Sequence, residues 1–163
     1  MVTEDDGALE SRPPTLNDLV ALCRRLNDQE ARYVVIGGMA VIQAGFVRAT
    51  EDIDLLIDAS PANVQRVRRA LAQLPDGAAH DLSDDDVESY TVVRVADEIV
   101  VDLLKLACGV SYEGAQSEVE QVVIDGVRIP FATPELLWRT KQTVRDKDML
   151  DRTFLARLLG KSE

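Results

Sequence analysis

Residues 33–58 constrain the fold more than any other stretch of this chain. Tyr33-Val34-Val35-Ile36 is a short, β-branched, apolar run that reads as a strand and leads directly into Gly37-Gly38. Met39 to Ala44 is apolar at short helical spacing and stops at Gly45. Asp52 to Asp58 reads as a second strand, with Leu55, Leu56 and Ile57 carrying it into a core.

The flanking segments extend this pattern. Thr15 is a helix N-cap with Asp18 in the first turn, followed by an apolar stripe of Leu16, Leu19, Val20, Leu22, Cys23 and Leu26. Ser60-Pro61 and Thr133-Pro134 each pair a capping side chain with proline at the first helical position. The Ser60 helix is predicted to reach about Leu74, and Pro75 to Glu88 reads as a polar loop. Tyr90 to Val95 and Glu98 to Leu106 read as strands joined by a turn at Val95-Ala96-Asp97-Glu98. Val119 to Ile124 and Val127 to Phe131 form a hairpin across Asp125-Gly126. One or two helices fill the chain to about Leu159. This order predicts an α/β (α+β) domain with a small mixed sheet, flanking helices and a C-terminal helical cap over 133–163. The 163 residues suit a single domain over 15–163, preceded by a mobile acidic arm over 1–14.

Hydrophobic residues make up 46% of the chain, enough for a true core and too many for a disordered one. No apolar run approaches the roughly 20 residues that cross a bilayer, and the acidic N-terminal stretch resembles no secretory signal or transit peptide. Cys23 and Cys108 sit in apolar-looking segments without metal spacing. They read as two reduced core thiols of a cytoplasmic protein. The formal net charge is −11, distributed as −13 over Met1 to Thr133 and +2 over Pro134 to Glu163. Such a chain repels polyanions at long range, so handling them requires metal, a local basic face or a partner. The single histidine, His80, lies in the polar loop, which disfavours histidine-based acid–base or nucleophilic chemistry. Arg66, Arg68 and Arg69, and likewise Asp84-Asp85-Asp86, read as solvated surface, and Trp138 as a core or interface contact.

The carboxylates are more informative. Asp52 and Asp54 stand two apart on a strand, so both side chains share one face. Side by side they repel unless a cation intervenes, and their hard oxygens suit Mg²⁺. Asp102 interrupts the apolar run Ile99-Val100-Val101-Asp102-Leu103-Leu104, where a charge must be paired, metal-bound or at a sheet edge. If its strand neighbours the first, Asp102 completes a cluster. Gly37-Gly38, closing a strand and opening a helix, lets backbone N–H groups approach a phosphate, though plain tight turns look the same. Arg48 reads as a phosphate or ribose ligand, and equally as a surface residue or a salt-bridge partner of Asp52, with Thr50 just before the acids. Lys141, Arg145, Asp148 and Arg152 recur at helical spacing and would share one face of a single helix. Seen alone, that is a solvated amphipathic helix with intrahelical ion pairs.

Taken together, Ile36-Gly37-Gly38, Arg48, Thr50 and Asp52-Ile53-Asp54-Leu55 resemble the signature of the polymerase-β-like nucleotidyltransferase superfamily. The form is most similar to the AbiEii-type toxin group and its small relatives. The segment from Lys141 to Asp151 resembles the Lys…Arg-Asp…Asp stretch that follows the sheet in that group. The resemblance covers about Tyr33 to Asp58, Asp102 and Pro134 to Leu155; the middle matches loosely, and the chain has less helix after the core than the group usually carries. It implies that Asp52, Asp54 and Asp102 are catalytic and bind Mg²⁺ or Mn²⁺. Gly37, Gly38, Arg48, Thr50, Lys141 and Asp148 would then bind a nucleoside triphosphate substrate, while Arg145, Asp146 and Asp151 remain solvated helix positions. The acceptor it implies is the 3′ end of a tRNA or other RNA, or a protein hydroxyl. A toxin role would bring a cognate antitoxin as partner. Two other readings stand beside it: a catalytically silent module of the same fold that binds nucleotide or a partner, and an unrelated α/β interaction domain whose acids are structural.

Overall fold

The computed structural model describes residues 10–161. In chain order the main elements are α1 (Leu16–Asp28), β1 (Tyr33–Ile36), α2 (Gly37–Gln43), β2 (Asp52–Ile57), α3 (Pro61–Leu71), the single turn α4 (Asp86–Ser89), β3 (Val93–Ala96) and β4 (Val100–Leu104). A two-stranded ribbon, β5 (Leu106–Ala107) and β6 (Val110–Ser111), and the turn α5 (Tyr112–Ala115) follow. The chain closes with β7 (Val119–Ile124), β8 (Val127–Ala132), α6 (Pro134–Thr140) and α7 (Asp146–Leu159).

Six strands make one mixed sheet in the order β3-β4-β2-β1-β8-β7. β1 runs antiparallel to β2, β2 parallel to β4, and β3 antiparallel to β4. The parallel step from β2 to β4 needs a crossover, which α3 and the segment after it provide. The central strands are buried on both faces: Val34, Val35, Ile53, Leu55, Leu56, Val101 and Leu103 are almost fully covered. Each such side chain contributes about 1.5–3 kcal/mol relative to exposure. The predicted α/β class with a mixed sheet and a C-terminal helical cap is therefore the observed one.

Local chemistry explains the ends of the elements. The Thr15 hydroxyl accepts from the Asp18 N–H while the Asp18 carboxylate accepts from the Thr15 N–H, a complete capping box. Ser60 and Thr133 cap α3 and α6 just ahead of their prolines. At the β7–β8 turn both Asp125 (φ 52°) and Gly126 (φ 79°) adopt the left-handed conformation that a two-residue hairpin requires.

Three expectations are corrected. The strand predicted from Tyr90 begins at Val93, because the preceding polar segment ends in the helical turn α4. Cys108 is exposed rather than core, since it occupies a left-handed turn (φ 47°) between the two strands of the ribbon; Cys23 is buried as expected. The C-terminal segment is two helices, so Lys141 and Arg145 do not share a helical face with Asp148 and Arg152. Lys141 is the last residue cap of α6 and Arg145 the N-cap of α7. Of the acidic arm, residues 1–9 lie outside the described residues. Ser11 and Arg12 run along the β3–β4 turn, where the Ser11 hydroxyl donates to the Asp97 carbonyl and the Arg12 N–H to that of Glu98. Among the described residues no helix is long and apolar enough to cross a membrane.

Candidate active site

The parallel pairing of β2 with β4 brings three acids together. Its register sets Asp54 directly beside Asp102, and Asp52 opposite Val100. Strand alternation then puts Asp52, Asp54 and Asp102 on one face of the sheet. One carboxylate oxygen from each lies within 4.8 Å of the others. Asp52 and Asp102 are buried, and Asp54 is partly buried. Burial first, then the neighbouring charges of Asp52 and Asp102, push the Asp54 carboxyl from 3.8 up to about 7.

The glycine pair is shaped by this cluster. Gly37 has φ +69°, and a Cβ there would stand 2.1 Å from Asp54 Oδ2. At Gly38 a Cβ would stand 2.4 Å from Thr50 Oγ1. A side chain at either position would collide with the groups that precede or form the acid pair. Thr50, buried, donates its hydroxyl to the Asp52 carbonyl at 3.2 Å and so fixes the entry to β2.

Arg94 enters the site unannounced by the sequence reading. It lies on β3 opposite Asp102. Its Nε and Nη2 donate to the two oxygens of Asp102, each at 2.9 Å, and Nη2 also reaches Asp52 Oδ2 at 3.2 Å. The signal was present in the turn at Asp97-Glu98: folding the chain back there carries Arg94 to Asp102. Asp97 holds that turn, accepting from the N–H groups of Asp76, Ala78 and Glu98. Burial alone would raise the Asp97 carboxyl, and those donors outweigh it and hold it below the usual range.

The helical cap contributes a second charged cluster. Lys141 Nζ pairs with Asp148 at 3.2 Å and with Asp151 at 2.9 Å, and all three are buried. Asp151, expected on a solvated face, is fully buried because Arg48 also grips it, with Nε and Nη2 each 2.8 Å from its oxygens. Arg48 is thus paired to the cap rather than to Asp52. Asp148 further accepts from Thr143 Oγ1 at 2.6 Å and Arg145 Nε at 2.9 Å. Burial would raise the Asp148 carboxyl, but the Thr143 hydroxyl and the Lys141 and Arg145 charges keep it below the usual carboxylate range. Arg152 donates to the carbonyls of Lys141 and Thr143, both at 2.7 Å, which secures the break between the two helices.

Two clefts flank the acids. One, of about 190 Å³, is lined by Gly37, Asp54, Thr91, Cys108, Lys141 and Arg145. The other, of about 350 Å³, is lined by Arg12, Glu51, Asp52, Arg94 and Lys147. The structure thus brings Gly37, Asp52, Asp54 and Asp102 into contact distance and sets Lys141 and Asp148 on the wall of the first cleft. Arg48 and Thr50 pack behind Gly38. His80 and the Asp84–Asp86 segment take no part.

Three clustered carboxylates, with no cation paired to Asp54 among the described residues, are a hard-oxygen donor set suited to a divalent cation. The guanidinium already resting on Asp52 and Asp102 shows that the cluster draws positive charge. No family model matches the chain, and among curated proteins none matches significantly. Among solved structures the chain is similar to a protein described as a putative nucleotidyltransferase from Thermotoga maritima. The two share 17% sequence identity over 89% of each chain, with a TM-score of 0.53. At that identity the likeness concerns architecture alone: the chain shares the fold of that protein, and its three acids stand close enough together to hold a metal ion.

Proposed function

We propose that the protein is a metal-dependent nucleotidyltransferase that moves a nucleotidyl group from a nucleoside triphosphate to a hydroxyl, with release of pyrophosphate; the hydroxyl is on an RNA 3′ end such as that of tRNA or on a protein. The observation that carries this is the meeting of Asp52, Asp54 and Asp102 across β2 and β4, between two clefts, in a nucleotidyltransferase fold. In this reading Asp52, Asp54 and Asp102 hold Mg²⁺ or Mn²⁺. When bound, the metal neutralises charge developing on the attacking and leaving oxygens. The triphosphate lies in the cleft of Gly37, Asp54 and Lys141, with the Gly37-Gly38 backbone and Lys141 toward its phosphates. Arg48, Thr50 and Asp148 support that wall. The acceptor hydroxyl approaches from the cleft of Arg12 and Lys147, and Asp102 takes part in removing its proton. The toxin role and a cognate antitoxin rest on the sequence resemblance alone.

The test is incubation with each labelled triphosphate, Mg²⁺ and total RNA or lysate. Label should appear on a macromolecule with wild type and vanish with Asp54→Ala, whose circular dichroism should be unchanged. Label transfer by folded Asp54→Ala would refute the assignment.

A second reading, a catalytically silent module that binds nucleotide, draws on one observation: Lys141 and Arg48, the cations expected at the phosphates, are already engaged by Asp148 and Asp151. Calorimetry showing Mg²⁺-dependent triphosphate binding, with no pyrophosphate released and no acceptor labelled, would favour it.

A further inference from the structure

The guanidinium of Arg94 and a divalent ion need the same place. Arg94 spans both oxygens of Asp102 and reaches Asp52, two of the three acids that form the cluster. A divalent ion bound to these oxygens would sit about 2–2.5 Å from them. The guanidinium nitrogens are 2.9–3.2 Å from the same atoms. Two cations that close, sharing the same ligands, repel strongly, so the arrangements exclude one another.

The components differ in freedom to move. The carboxylates project from the paired strands β2 and β4 and are 8–11% exposed for Asp52 and Asp102. Arg94 stands on β3, the edge of the sheet, and its side chain is 59% exposed. Its long stem can turn into the adjoining 350 Å³ cleft without disturbing a packed element. Because Asp102 is buried and held by two hydrogen bonds, Arg94 leaves it readily only when another cation takes over its oxygens.

We infer that Arg94 is a tethered competitor of the metal: it neutralises Asp102 and Asp52 when no ion is present and must swing away for one to bind. This rests on the reading of Asp52, Asp54 and Asp102 as metal ligands, and it adds a residue that sets the metal concentration at which the site fills. The geometry also explains how three neighbouring acids remain together in the metal-free protein.

The experiment is Mn²⁺ titration of the full chain by calorimetry at low ionic strength, with wild type, Arg94→Gln and Arg12→Gln. Arg12 lines the same cleft but pairs with Asp18 and Glu98, so its variant removes one nearby positive charge without touching the acids. Arg94→Gln should bind Mn²⁺ about three- to ten-fold more tightly than wild type, and Arg12→Gln less than two-fold more tightly. Equal tightening in both variants, or none in Arg94→Gln, overturns the proposal while leaving the metal site intact. Absence of Mn²⁺ binding in all three proteins overturns the metal site and the proposal together. A measurement on wild type alone stands in should Arg94→Gln fail to fold. In protein labelled with ¹⁵N-arginine, the Arg94 Nε–H resonance should lose its protection from solvent exchange on saturation with Mg²⁺. Retained protection at saturation overturns the proposal.

Discussion

Replacing Asp54 with Asn should stabilise the metal-free protein and destabilise the metal-loaded one. The Asp54 carboxyl rises from 3.8 to about 7 because burial and two neighbouring carboxylates disfavour its charge. Between about pH 4 and pH 7 the folded protein therefore keeps a proton that the unfolded chain gives up. Stability falls as pH rises through that window and levels off above it. The full shift corresponds to roughly 4 kcal/mol at about 1.36 kcal/mol per unit. Solvent reaching the partly open site screens the repulsion, leaving an expected cost of about 1–3 kcal/mol above pH 7. The amide of Asn has the same shape and no charge, so Asp54→Asn escapes this cost. For a chain of this size that is a rise in Tm of roughly 2–4 °C per kcal/mol.

Mg²⁺ should invert the order. An ion held by the three acids stabilises wild type by about 4.1 kcal/mol at a thousand-fold excess over its dissociation constant, more than the cost that Asp54→Asn escapes. The variant, lacking one ligand, gains far less. Thermal unfolding of both proteins at pH 5 and pH 8, with and without Mg²⁺, gives the whole set. The variant should lead wild type at pH 8 without metal, lead by less at pH 5, and trail at pH 8 with metal. A variant that is less stable than wild type at pH 8 without metal would mean that Asp54 is a satisfied structural acid, and the reasoning fails. Equal Mg²⁺ shifts in both proteins would place the ion elsewhere.

Other substitutions probe the support around the acids. Gly37→Ala places a methyl 2.1 Å from Asp54 Oδ2 at a left-handed backbone position, so it should cost at least about 2 kcal/mol and remove the Mg²⁺-induced rise in Tm, read by the same unfolding scans. Lys141→Ala leaves two buried carboxylates short of a partner and should lower stability by about 3–5 kcal/mol in chemical denaturation. Of the two thiols, Cys108 should react with iodoacetamide in the native protein and be protected by a bound triphosphate. Cys23, whose thiol burial pushes up to about 12, should react only on unfolding; mass spectrometry after timed quenching distinguishes them.

What the sequence made legible was whatever short-range periodicity determines. The N-cap at Thr15, the hairpin at Asp125-Gly126 and the strand alternation of Asp52 and Asp54 all follow from residues within a few positions of one another. Asp102 was legible as a misplaced charge in an apolar strand, although only the β2–β4 pairing makes it a neighbour of Asp54. The pair Arg48–Asp151 spans 103 positions, and no local pattern encodes it. The helical spacing of Lys141, Arg145, Asp148 and Arg152 is present in the sequence, yet the chain breaks after Thr140. Arg152 and Asp148 reach back to satisfy the polar groups of the intervening loop, and that tertiary gain outweighs the propensity to continue the helix.

The same buried network bears on how the two clefts behave. Arg48, Asp151, Lys141, Asp148 and Arg145 alternate in sign from the loop before β2 to the start of α7. Drawing the cap away from the sheet would separate Arg48 from Asp151 and leave a fully buried carboxylate with one cation fewer. Breaking such a pair costs about 3–5 kcal/mol, comparable to much of the stability of an ordinary domain. The cleft between Gly37, Asp54 and Lys141 is therefore held preformed. On the other side of the acids the contact is a single arginine, 59% exposed on an edge strand, whose place on Asp102 and Asp52 a bound cation takes over, so its departure leaves no carboxylate unpaired. Adaptation to a ligand thus belongs to the side of Arg94, and rigidity to the side of Lys141.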